Sequence, residues 1–215
     1  MNSKYFLVLV FSMTMILPVS AADTVRPIDP NADHVTRWIW FVDAVHTLHE
    51  KQIKGKDIKI ETSSGGYARL PDYYQEKKYT DKKTGRLLSK VLWETANDDL
   101  LHSIEVYIYD KKGRVIRDFG GSYLTHSRAA PQQTLINLHA YNQGLHAIRQ
   151  FDATDARIFE LCSGTFRGKK IDMRLGDMEI LEYEDEPVSP MTTPLYKACF
   201  KGLPVRSAGK YLTPQ

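Results

Sequence analysis

Between residues 57 and 123 apolar and polar side chains alternate, and two short Asp-Lys-Lys segments that carry a glycine interrupt them. Ile58 and Ile60 alternate with Lys59 and Glu61, and Ile104, Val106 and Ile108 alternate with Glu105, Tyr107 and Tyr109. A period of two sends successive side chains to opposite faces of a strand, so each strand can bury one face and wet the other. The interruptions at 81–86 and 110–114 contain Gly85 and Gly113, which suit tight turns. The segment therefore reads as a meander of antiparallel strands joined by lysine- and glycine-containing turns. Gly120 and Gly121 are read as the break that ends its last strand, and residues 63–66, Ser-Ser-Gly-Gly, as a further turn.

Two stretches read as helices. From His34 to Ile53, the residues Val35, Trp38, Ile39, Val42, Val45 and Leu48 recur at steps of three and four, which builds one apolar helical face. Asn31 or Asp33 is placed to cap its start, and Gly55 its end. A second helix is expected over 132–150, opened by Pro131, with Leu135, Leu138, Leu145 and Ile148 beside His139, Asn142 and His146.

Beyond Asp152 the pattern is strand-like at 157–162 and 170–175, with a further strand possible in pattern at 178–183. Residues 184–194 combine Glu184, Asp185 and Glu186 with Pro187, Pro190 and Pro194, and read as an exposed acidic, proline-rich loop. The expected fold class is α+β: an N-terminal helix and a second helix packed on an antiparallel β-meander, with one disulfide tying down the C-terminal tail. Residues 23–215 are expected to form a single domain.

The first residues set the compartment. Lys4 precedes an apolar run over 5–17, Pro18 ends it, and Ser20, Ala21 and Ala22 supply small side chains. This is the pattern of a bacterial signal peptide, cleaved after Ala21 or Ala22, and the run is short for a membrane span. The mature chain, with no transmembrane segment, is expected in the periplasm or secreted. In an oxidising compartment the only two cysteines, Cys162 and Cys199, are most simply a structural disulfide. Of 29 Lys and Arg against 26 Asp and Glu, the leader holds only Lys4, so the mature chain is close to neutral. That balance argues against a nucleic-acid partner.

Catalytic motifs are sparse. There is no Gly-x-Ser-x-Gly elbow, and residues 164–170 lack the spacing of a phosphate loop. His46 and His49, three apart with Glu50 beside them, have a spacing compatible with a metal, but no third ligand is identified and no metal is assigned. Residues 51–90 carry 11 Lys or Arg against 5 acids, interleaved with Tyr67, Tyr73, Tyr74 and Tyr79. Such a face can grip an anion, although lysines that guard sheet edges are the plainer explanation.

No catalytic residue and no cofactor is assigned. The binding residues singled out are His139, Asn142 and His146, as a polar patch, with Trp38 as an aromatic wall. The leading functional expectation is an exported, non-enzymatic binding or interaction protein, with an unidentified protein or small-molecule partner in the cell envelope. The alternatives are a small-ligand or lipid carrier with an aromatic cavity, and a hydrolase using a His/carboxylate site.

Overall fold

The computed structural model describes residues 33–125, 130–184, 186–187 and 189–215. The expected leader, its expected cleavage site and Asn31 lie outside the described residues. Helix α1 spans His34–Ile53. The Asp33 carboxylate caps it, accepting from the Thr36 backbone N–H at 3.0 Å and from the Thr36 hydroxyl at 2.7 Å. These two bonds hold the Asp33 carboxyl below its ordinary range.

Nine strands follow: β1 Ile58–Tyr67, β2 Leu70–Asp81, β3 Arg86–Glu94, β4 Asn97–Tyr109, β5 Val115–Tyr123, β6 Pro131–Asn142, β7 Leu145–Phe151, β8 Arg157–Phe166 and β9 Lys169–Gly176. They form one sheet in chain order, every neighbouring pair antiparallel, with β1 and β9 as its edges among the described residues. The C-terminal segment adds α2 Asp177–Glu184, a 3-10 turn at Pro190–Thr192, α3 Pro194–Cys199 and a last 3-10 turn at Gly209–Leu212.

The expected α+β arrangement of an N-terminal helix and a second helix packed on an antiparallel β-meander is thereby overturned: the described residues are mostly one nine-stranded antiparallel sheet. The stretch 132–150 is not a helix but the hairpin β6–β7. Its loop is Gln143-Gly144, with φ of 47° and 85°; two successive positive φ values are what a two-residue hairpin turn needs, and glycine reaches them without strain. Burial along β7 alternates at every residue, so the period that matters is two. The apolar residues at three- and four-residue steps belong to both faces of two strands.

Four smaller readings change as well. Gly120 and Gly121 do not end β5 but lie inside it, where the backbone passes directly under α1; a Cβ on Gly121 would collide with Val42. Residues 63–66 continue β1, and the turn comes later, at Ala68 and Arg69 between the paired Tyr67 and Leu70. Residues 178–183 are helical, within α2. The segment 184–194 is not simply an exposed loop: Glu184 ends α2, Pro190 opens a 3-10 turn, and Ser189 is buried.

One face of the sheet carries the core. Phe41, Val42, Val45 and Leu48 of α1 are buried against Val91, Ile104, Val106, Phe119, Ile136, Leu138 and Phe151. Each such side chain contributes about 1.5–3 kcal/mol by leaving water. A second cluster covers the other half of the same face: Leu145, Ala147, Cys162 and Leu175 of the sheet meet Ile180, Tyr196, Cys199 and Phe200 of the C-terminal segment. Leu203 packs against both clusters and joins them. The Cys162–Cys199 disulfide fastens this segment to β8, with Cα atoms 5.9 Å apart. Among the described residues no helix is long and apolar enough to cross a membrane.

Candidate ligand cleft under the C-terminal segment

The alternation of β6 and β7 separates the residues that the sequence grouped together. Leu138 and Ala147 point into the core, so His139 and His146 point to the opposite face of the sheet. There they do meet: His139 Nδ1 lies 3.0 Å from His146 Nε2, and His139 Nε2 lies 3.1 Å from the Asp118 carboxylate on β5. The chain continues sideways, with the Asn137 amide donating to Asp118 at 2.8 Å and the Gln150 amide donating to Asn137 at 2.7 Å. The His146 ring stacks on Tyr141 at 4.5 Å, and the Arg114 guanidinium covers the other ring at 4.4 Å.

If Asp118 accepts the Nε2 proton of His139, the Nδ1 of His139 is left to accept from His146. Burial, and then the neighbouring His139, push the His146 imidazole below its ordinary range. Both ring nitrogens of His139 are thus consumed within the cluster.

Asn142 and Trp38 do not join this pair. Asn142 faces the core side and donates to the Cys199 and Lys201 carbonyls at 3.2 and 3.1 Å, which pins the C-terminal segment to the end of β6. Trp38 packs on the main core with its ring edge-on to His34. His49 and His46 serve the helix interface: the His49 ring is 2.7 Å from the Ser89 hydroxyl, and His46 lies edge-on to Trp93. The Cys162 sulfur is bonded to Cys199.

The core side holds something the sequence reading missed. Between β7–β8 and the C-terminal segment opens a cleft of about 500 Å³. Met191, Phe200, Leu203 and Val205 give it apolar walls, while Arg157, Ser189, Lys197 and Arg206 bring polar groups to it. That size and mixture are those of a small-molecule site. A second depression of about 540 Å³ lies between α1 and the β3–β4 hairpin, lined by His46, Trp93 and Leu101 among others. It has no converging group of cations.

Behind the cleft sits a buried polar cluster. The Arg149 guanidinium, 1% exposed, donates through Nε to Glu160, which is 0% exposed. Arg149 also donates to the Pro204 carbonyl at 2.6 Å and to the Tyr196 hydroxyl at 2.9 Å. Tyr196 in turn donates to Glu160 at 3.0 Å. Burial is the main reason the Tyr196 phenol is pushed up to about 12, so it stays a donor across ordinary pH.

Arg157 is less well served. Its side chain is 5% exposed, yet its close hydrogen bond is to the Val205 carbonyl at 2.9 Å; Glu160 lies 3.7 Å away and Glu184 3.5 Å away. Among the described residues its Nε has no acceptor, and neither the Ser189 hydroxyl nor the second Glu160 oxygen has a partner.

A signal for this cluster existed in the sequence. Arg149 shares parity with Leu145, Ala147 and Phe151, and Glu160 shares parity with Cys162. Read at period two, both charges fall on the buried face, and a charge there needs a partner. Comparison with protein-family models, with characterised proteins and with solved structures gives no match to this chain.

Proposed function

We propose that this chain is an exported small-molecule-binding protein whose ligand occupies the cleft between β7–β8 and the C-terminal segment. The observation that carries the reading is the cleft itself: about 500 Å³, with apolar walls on one side and a buried, under-bonded guanidinium on the other. Export to the periplasm or medium is supported by the leader over residues 1–22 and by the disulfide that fastens one wall of the cleft. No metal or cofactor enters this reading.

The test is native mass spectrometry of protein purified from its own cell envelope. The wild-type chain should carry an additional small mass. Val205→Trp, at an exposed position on the cleft wall, should lose that mass without a change in melting temperature. A bare wild-type mass, or an adduct that survives Val205→Trp, overturns the proposal.

A hydrolase reading has one observation in its favour, the contact of His139, His146 and Asp118. It predicts that ester hydrolysis by the purified protein is abolished by His146→Ala. An activity indifferent to that substitution removes the reading.

A further inference from the structure

Two guanidiniums and one carboxylate are buried behind the cleft, and the bonds between them are unequally shared. Glu160 gives its bonded oxygen to Arg149 and Tyr196, which leaves Arg157 at 3.7 Å with one close hydrogen bond for its five N–H donors. A cation this deeply buried is costly unless a negative group balances it. Among the described residues the nearest candidate is Glu184 at the end of α2, but it stands 3.5 Å from Arg157 and 3.8 Å from Arg206. It sits between the two guanidiniums without closing tightly on either. Lys197 lines the same cleft from α3. Apolar surface from Met191, Phe200 and Val205 continues directly from these charges.

We propose that the ligand is an anionic amphiphile: a carboxylate or phosphate headgroup that takes the place of Glu184 between Arg157 and Arg206, on an apolar body that lies against Met191, Phe200 and Val205. This rests on the binding reading above and specifies its ligand class. Glu184 then acts as an internal competitor, so removing its charge strengthens binding. A purely structural ion pair makes the opposite demand, since its loss weakens whatever it supports.

The test is calorimetric titration of the mature, disulfide-bonded chain with decanoate, decyl phosphate, decanol and decyltrimethylammonium, each below its aggregation concentration. Decanoate or decyl phosphate should bind at least about tenfold more tightly than decanol, about 1.4 kcal/mol or more. The ratio of the two anions tells carboxylate from phosphate. Glu184→Gln should tighten anion binding by about threefold or more, and Arg206→Gln, at a side chain 79% exposed and so tolerant of change, should weaken it and reduce its salt dependence.

Equal binding of decanol, preferred binding of the ammonium, or weaker anion binding in Glu184→Gln overturns the ligand class while leaving the cleft as a binding site. If none of the four binds, the mass adduct of the purified protein decides: an anion released from it sustains the proposal, and a neutral or cationic species overturns it. No binding together with a bare mass overturns both this inference and the binding reading.

Discussion

Arg149 on β7 and Glu160 on β8 are direct cross-strand partners, and both are withdrawn from water on the face that the C-terminal segment covers. The pair does more than neutralise itself, because the Arg149 guanidinium also holds the Pro204 carbonyl of the tail. Removing one member leaves the other buried without its counterion, which costs about 3–5 kcal/mol. Glu160→Gln should therefore lower the free energy of unfolding in urea by about that amount. It should do so more than Arg149→Met, since the loss of Glu160 strands Arg149 and takes a nearby carboxylate from Arg157, whereas the loss of Arg149 leaves Glu160 with Arg157 at 3.7 Å. The double substitution Arg149→Met/Glu160→Leu should recover part of the loss. Additive single effects would show that the two charges are not coupled.

Stability should also fall as the solution becomes acidic, through His49. Burial is the main cause, with His46 second, that holds the His49 imidazole down at about 4 from an unfolded value near 6.5. The unfolded chain takes up a proton from about pH 6.5 downward and the folded chain does not until about pH 4. The contribution of neutral His49 is thus complete above pH 6.5, declines between 6.5 and 4, and is gone below. It is on the order of 2 kcal/mol. Urea midpoints at pH 7.5, 5.5 and 4 should show the decline, and His49→Leu should flatten that part of it. An unchanged slope in His49→Leu would place the sensitivity elsewhere.

The path from sequence to site was open in some places and closed in others, for physical reasons. The range of α1 is legible because one stripe of apolar residues repeats at helical steps over five turns and an aspartate precedes it. The turns at Gly85 and Gly113 are legible because positive φ selects glycine. The hairpin β6–β7 misleads because Leu135, Leu138, Leu145 and Ile148 are all apolar although they lie on both faces of the sheet. Outward-facing leucine and isoleucine erase the alternation, and Pro131 imitates a helix start. With that hairpin misread, Arg149 had no visible face, and the cleft behind it had no trace. Of the residues singled out for binding, His139 and His146 meet because they sit near a hairpin turn, seven residues apart. Asn142 is directed to the other face by the same parity rule, and Trp38 belongs to α1, which packs on that other face.

The glycine pair in β5 makes a further prediction. Gly121 lies where Val42 of α1 presses on the strand, with no room for a side-chain carbon. Gly121→Ala should force α1 outward or distort β5 and cost about 1–3 kcal/mol, the usual range for overpacking. Val42→Ala should cost stability alone but relieve the Gly121→Ala defect, so the double variant is more stable than the sum of the single losses predicts. Strict additivity in urea unfolding would mean that the two residues do not share the space.

The C-terminal segment depends on its covalent tie. Cys162 and Cys199 are 37 residues apart, and closing a loop of that length removes enough disorder from the unfolded chain to be worth about 4 kcal/mol in the chain-entropy account. The bond also fixes α3, which carries Tyr196 and Lys197, against β8. Cys162→Ala/Cys199→Ala should thus lower global stability and loosen the cleft in particular. Hydrogen exchange should accelerate at residues 194–205 more than in α1, because α1 and its partners Phe119 and Ile136 form the other cluster of the core. Uniform acceleration over both clusters would show that the segment and the rest of the sheet unfold as one unit, and that the disulfide acts only on the unfolded chain.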